Sequence, residues 1–399
     1  MTELTRARPM DYRGVAIVAP FTVPYSRYSE RSAAWFIGTA LRGMLDETGI
    51  GKEAVDGMSV SSFTLAPDSV VSLSEHFGMT PRWLEQIPFG GASGVISLRR
   101  AARAIQAGDA NLIAAIGADT SQPESFKATA ANFSTFSMDA VYPYGAAGPN
   151  APFSLITQRY MDAYGATRSD FGQLCVSQRY NANRNPNALL GHKPLTIEQY
   201  LEARQIAGPL HLFDCVMPCA GADGFLVTRV EIAEELGLPY IVVLAADELH
   251  NAFSDDPVQL RGGWERFRDD LYQSAGLTPQ DIDVVQTYDD YPVISMLQLE
   301  GLGFCPPGAA AEFLRTTRLT FDGGGLPHNT NGGQLSVGQA GCGYLGVVET
   351  LTQLLETAGE RQVPGAAIGL VSGYGMVNYD RGLCSAAAIL AKPGVGAAT

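Results

Sequence analysis

Residues 328–341 read HNTNGGQLSVGQAG, and the fold is decided by how this glycine-rich stretch is understood. Gly332 and Gly333, with Gly323, Gly324 and Gly325 just upstream, read as backbone permissiveness beside a ligand. No G-x-G-x-x-G follows a strand pattern, so a dinucleotide-binding loop is not indicated. The only histidine inside the stretch is His328, placed to cap a turn or to act as a base. A second glycine turn, at 90–94, likewise leads into a long helical pattern.

The two turns sit in two similar settings. Residues 15–23 and 240–246 are apolar runs rich in β-branched side chains, a buried-strand signal. Helix patterns follow at 33–45 and 264–271, then acidic strand starts at 54–62 (AVDGMSVSS) and 281–290 (DIDVVQTYDD), with Asp56 and Asp283 at matching places. Strand alternating with helix predicts an α/β layer structure, and its repetition predicts two similar halves. The intervening segment 121–220 is rich in Asn, Tyr, Pro and Gly and carries amphipathic stretches at 151–164 and 169–183.

Composition sets outer limits. A chain of 399 residues with 46% hydrophobic content can bury a large core. No apolar run approaches the ~20 residues of a membrane span, the first residues show no signal-peptide pattern, and the last residues carry no peroxisomal signal. A cytoplasmic protein is expected. The six cysteines lack C-x-x-C spacing, which speaks against a disulfide framework and a structural metal. The net charge of −14 speaks against nucleic-acid binding. It leaves room for an anionic ligand, because local cations and helix N-termini bind phosphates.

The stretch 328–341 resembles the thiolase signature N-x-N-G-G-x-x-x-x-G-H-P. Asn329, Asn331, Gly332, Gly333 and Gly338 match, and Gln339 stands where the histidine belongs. Residues 90–120 resemble a second thiolase landmark: counted back from Gly108, Ser93 and Gly94 fall on the family's C-x-S-G, so the nucleophilic cysteine is Gly91. Tyr288 replaces the asparagine of N-E-A-F, and Leu370 the second cysteine of C-x-G-G-G. Residues 159–188 and 212–228 resemble the cap loop and return strand of sterol-carrier-protein-type thiolases. The resemblance implies a duplicated five-layer α/β/α/β/α sandwich with a cap. Its halves would comprise 1–120 with the return strand and helix 221–239, and 240–399, with the cap at 121–220. It also implies that the turns at Gly91 and Gly332 approach one another. A homodimer is implied, paired through 112–117 as an edge strand, as is a small zinc-ribbon/OB-fold partner protein.

Both reactive cysteines and the histidine are thus absent, while the backbone that binds a thioester oxygen remains. The resemblance assigns an oxyanion hole to the backbone of Gly91, Ser372 and Gly373, and substrate contacts to Ser93, Asn331 and Gly332. Tyr288 is the candidate base or proton relay, with Asp289, Tyr291, Gln339 and Tyr344 as candidate neighbours and His328 as a further candidate. The segment 288–304, YDDYPVISMLQLEGLGF, is similar to thiolase-like steroid side-chain coenzyme A aldolases, which have a tyrosine where Gln339 stands. Three functions follow. One is a lyase that cleaves a β-hydroxyacyl-coenzyme A by retro-aldol chemistry, with coenzyme A as part of the substrate and no tightly bound cofactor. The second is an acyltransferase or retro-Claisen enzyme using a displaced thiol, such as Cys342 or Cys219, or a water. The third is a non-catalytic acyl-coenzyme A-binding subunit.

Overall fold

The computed structural model describes residues 10–131, 134–146 and 148–396. The extreme ends, on which the targeting readings rest, lie partly outside these residues. Among the described residues eleven strands are formed: β1 (Val15–Ser26), β2 (Gly57–Ser61), β3 (Trp83–Gln86), β4 (Leu112–Asp119), β5 (Gln205–Ala207), β6 (Leu210–His211), β7 (Ala220–Arg229), β8 (Ile241–His250), β9 (Val284–Gln286), β10 (Ile368–Asn378) and β11 (Arg381–Ala391).

Nine of them run in the order β3-β2-β4-β7-β1-β8-β11-β10-β9. The order is a repeat. In the first half β2 lies parallel to β4, β4 antiparallel to β7, and β7 antiparallel to β1. In the second, β9 lies parallel to β10, β10 antiparallel to β11, and β11 antiparallel to β8. Between β1 and β8 only Ala16↔Val242 and Ile17↔Ile241 pair. The matched aspartates perform the same task in each half. Asp56 accepts from the backbone of Asn111 (2.8 Å) and Leu112 (2.9 Å) at the start of β4. Asp283 accepts from Ala367 (2.8 Å) and Ile368 (2.9 Å) at the start of β10.

Two helices, Ser93–Ala107 and Tyr344–Leu354, pack on one another and on strands of both halves, forming a central layer. Helix Ala33–Thr48 covers the outer face of the first half and Trp264–Ala275 that of the second, which completes the five-layer α/β/α/β/α sandwich. Local chemistry sets the helix ends: Ser32 accepts from the Trp35 N–H (3.2 Å), and Gly49 closes the same helix in the left-handed region. Helices Asn150–Tyr164 and Arg168–Ala182 are the longest elements of the 121–220 segment. Among the described residues no helix is long and apolar enough to cross a membrane.

Two expectations are corrected here. Strand β4 is not an edge, because it is hydrogen-bonded to β2 on one side and β7 on the other. Its continuous apolar sequence reflects burial on both faces, every residue of LIAAIGAD being covered. The sheet edges are β3 and β9. The turn that abuts Gly91 is also not Gly332 but Gly343, where a β-carbon would strike the Gly91 carbonyl. Gly332 opens only the short helix Gly333–Val337 and faces Ala182 of the cap, whereas the long second helix begins after Gly343.

Candidate active site

Strand β9 ends at Gln286, and the chain then carries Tyr288 to the turn at 90–92 that opens the first central helix. Gln298, one turn or more into helix Pro292–Gly301, clamps the Tyr288 backbone: its Oε1 accepts from the Tyr288 N–H (3.1 Å) and its Nε2 donates to the Tyr288 carbonyl (2.7 Å). The Ser372 hydroxyl of β10 donates to the same Gln298 Oε1 (2.7 Å). With its backbone held in this way, Tyr288 places its ring above Gly91. A β-carbon on Gly91 would lie inside the Tyr288 ring. The phenol therefore fills the volume where a side chain at 91 would stand.

The Tyr288 hydroxyl meets Gln339, whose Nε2 lies 3.0 Å from it and 2.9 and 3.0 Å from the two oxygens of Asp290. That one amide nitrogen thus bridges the phenol and the carboxylate. Tyr288 is only 6% exposed, while Asp290 and Gln339 keep part of their surface open. Burial, followed by the neighbouring Tyr288 hydroxyl and the amide of Gln339, sets the Asp290 carboxyl: burial pushes it up, the two neighbours pull it back, and it is raised to about 7. Burial first, and the Asp290 charge second, hold the Tyr288 phenol well above its ordinary range.

The neighbour expected at Asp289 is in fact Asp290. Asp289 points the other way, accepting from the backbone of Gln334 (2.9 Å) and Leu335 (3.2 Å) at the start of helix Gly333–Val337. In extended chain, residues two apart share a face, so Tyr288 and Asp290 project together while Asp289 opposes them. That alternation was readable in YDDY.

Tyr344 is likewise turned away, its ring beside Gly117 and Phe225 (5.8 Å) and its hydroxyl toward Ser59 and Ser97. His328 is fully buried behind the turn with Nε2 2.7 Å from Thr287 Oγ1, and burial lowers it to about 3, leaving it neutral. Tyr291 stacks on Phe153 (4.1 Å) and donates to Asn150 (2.5 Å), one residue inside the cap helix.

The backbone around Gly91 is crowded. A β-carbon on Gly373 would meet Ala92 Cα at 2.6 Å and the Gly91 carbonyl at 2.8 Å, so β10 passes against the turn at 90–92. Ser93 closes that turn from within, donating to the Ile87 carbonyl (3.2 Å) and accepting from the Phe89 N–H (3.2 Å). Asn331 orders its own loop, its Oδ1 accepting from the Gly333 N–H (2.9 Å). A small cavity joins Tyr288, Asn331, Gly343 and Ser372.

Gln339 is held from behind by backbone pairing with the return segment: its N–H donates to Met217 (2.8 Å) and its carbonyl accepts from Cys219 (3.0 Å). Cys342 adopts a left-handed φ of 50° between Gly341 and Gly343. Its buried Sγ lies 3.6 Å from Asp119 Oδ2, and burial, with that carboxylate, raises the thiol well above the ordinary range. Cys219 is buried and raised in the same sense, by burial first. All six cysteines are free, and among the described residues no group of His, Cys, Asp or Glu is arranged to hold a metal.

This architecture, and the positions of the turns at Gly91, Tyr288 and Gln339, place the chain in the thiolase superfamily. Residues 248–390 match the family described as thiolase C-terminal domain-like. The chain belongs to that superfamily and groups with its coenzyme A lyases. It is 30% identical to the 17-hydroxy-3-oxo-4-pregnene-20-carboxyl-CoA lyase of Mycobacterium tuberculosis over 86% of this chain and 92% of that protein. It is 28% identical to the steroid side-chain-cleaving aldolase of Thermomonospora curvata, over 81% of this chain and 86% of that one. The solved Ltp2-ChsH2(DUF35) aldolase superposes with a TM-score of 0.82 at 26% identity, covering 96% of this chain and 99% of that one. Human mitochondrial 3-ketoacyl-CoA thiolase, at 13% identity and a TM-score of 0.68, shares the fold.

Proposed function

We propose that this chain is a C–C lyase that cleaves a β-hydroxyacyl-coenzyme A thioester by retro-aldol chemistry, with no acyl group carried on the enzyme. One observation carries the reading: the ring of Tyr288 fills the space above Gly91 and presents a hydrogen-bonded phenol there. A thioester cannot form on glycine, and no other thiol serves in its place. Cys342 is buried, protonated and tied to Asp119.

Retro-aldol cleavage needs a group to take the β-hydroxyl proton and donors to stabilise the thioester enolate. Tyr288 relays the proton. The crossing of the 90–92 turn by β10 supports the backbone of Gly91, Ser372 and Gly373 as the enolate cradle, where each donor contributes on the order of 3 kcal/mol. Ser93, Asn331 and Gly332 act by shaping the two turns around the substrate. Asp289, His328 and Tyr344 hold the scaffold on which Tyr288 stands. The segment 121–220 caps the acyl pocket, with Tyr291 and Phe153 packed between the cap and the site.

The relatives named as a carboxyl-CoA lyase and a steroid side-chain-cleaving aldolase support this class of reaction and a bulky, steroid-like acyl group. The aldolase solved as a complex with a DUF35 protein supports a small zinc-ribbon/OB-fold partner for this chain. The assembly is a cytoplasmic homodimer. Unlike β4, strand β3 has a free edge with half-buried Trp83 and Leu84, and such an edge invites pairing.

Incubation with a panel of β-hydroxyacyl-coenzyme A thioesters, read by mass spectrometry, tests the reading. It expects a shortened acyl-coenzyme A and a carbonyl fragment, with full activity after iodoacetamide treatment. Loss of activity on alkylation of a cysteine would favour a relocated thiolase nucleophile instead.

A further inference from the structure

We infer that Asp290 is the terminal proton acceptor of this site, taking the β-hydroxyl proton through Tyr288, and that Gln339 positions the two; this rests on the retro-aldol reading above. Tyr288 Oη has Gln339 Nε2 at 3.0 Å. An amide nitrogen only donates, so Oη accepts there and its own proton is free to go to another partner. Asp290 lies beside that hydroxyl, near enough for its charge to raise the phenol. The same Gln339 nitrogen contacts both Asp290 oxygens, at 2.9 and 3.0 Å. One amide therefore fixes the phenol and the carboxylate against each other.

A neutral phenol accepts a proton only as it releases one. Burial and the neighbouring carboxylate keep Tyr288 neutral, so it needs an acceptor behind it, and Asp290 is the group placed to serve. The step balances as follows. The substrate β-hydroxyl gives its proton to Tyr288 Oη while the phenol proton passes to Asp290. The O–H electrons form the new carbonyl, the Cα–Cβ bond breaks, and its pair enters the thioester enolate. The proton held on Asp290 then returns through Tyr288 to the α-carbon, restoring both groups, and no external acid or base is consumed.

The surroundings suit the task. The titratable groups that feel Asp290 are Tyr288, Asp289, Tyr291 and Cys342. None of them is a cation, so only the Gln339 amide and the Tyr288 hydroxyl favour the charged form. Burial, opposed by the Tyr288 hydroxyl and the Gln339 amide, leaves it near neutrality, where a general base is most effective.

The test is the pH profile of kcat/KM for cleavage of a β-hydroxyacyl-coenzyme A, with any co-purifying partner retained. Wild type is expected to show activity rising with pH through neutrality as one group loses its proton. Asp290→Asn should lose 10²- to 10⁴-fold in kcat/KM and lose that rising limb. Gln339→Leu removes a donor that favours the charged carboxylate, so the limb should move to higher pH. Asp290→Asn within threefold of wild type, with the limb intact, overturns the assignment. Should Asp290→Asn fail to fold, a limb absent from wild type or unmoved in Gln339→Leu overturns it equally. Wild type that cleaves no member of the panel overturns the retro-aldol reading itself, an outcome distinct from cleavage that ignores Asp290.

Discussion

Gly91 and Tyr288 are one feature seen from two sides. A cysteine at 91 needs the volume that the phenol now fills, so losing the nucleophile and gaining the tyrosine are sterically coupled. Restoring the thiol alone should therefore fail. Gly91→Cys is expected to destabilise the fold by about 1–3 kcal/mol through overpacking and to abolish cleavage by displacing the Tyr288 ring. Gly91→Cys with Tyr288→Asn should recover most of that stability. Thermal melts of the two singles and the double measure the coupling, expected at about 0.5–3 kcal/mol for residues in contact; additive effects would show that ring and turn do not compete. Sequence made Gly91, Tyr288 and Gln339 legible because each replaces a reactive residue at a fixed motif position. Asp290 escaped because the motif drew attention to Asp289. Only the two-residue alternation of extended chain, not the motif, distinguishes the carboxylate facing the phenol from the one capping helix Gly333–Val337.

Elements were read more surely than their neighbours. The apolar run at 15–23 became β1, the pattern at 33–45 became helix Ala33–Thr48, and 169–183 became Arg168–Ala182. These signals are local: hydrophobic period, a serine cap, a glycine stop. Asp56 and Asp283 show that a repeat can be read from one side chain, since each tethers the first residues of the strand beside its own. Sheet position is not local. An apolar strand such as β4 looks the same whether it seeks a partner chain or already has neighbours on both sides, and only the order of strands decides. The same holds for the turn at Gly343. Its left-handed φ of 84° and its contact with Gly91 depend on where the second central helix starts, which the motif centred on Gly332 does not specify.

At the scale of the molecule, the central helix pair brings one turn from each half to the site, so neither half contains it alone. Gly91 comes from the first half and Tyr288 and Gln339 from the second. The proposed dimer through β3 predicts a solution mass near twice the 42.4 kDa of the chain, with a further increment if a small partner protein co-purifies. A stable monomer by light scattering at micromolar concentration would contradict it. The proposed chemistry runs through a phenol and not through a thiol. The most direct test compares Tyr288→Phe with Cys342→Ala for cleavage of a β-hydroxyacyl-coenzyme A. Tyr288→Phe removes only the hydroxyl and keeps the ring over Gly91, so the melting temperature should barely move while turnover falls 10²- to 10⁴-fold; Cys342→Ala should leave turnover nearly intact. Turnover abolished by Cys342→Ala and untouched by Tyr288→Phe would contradict the account.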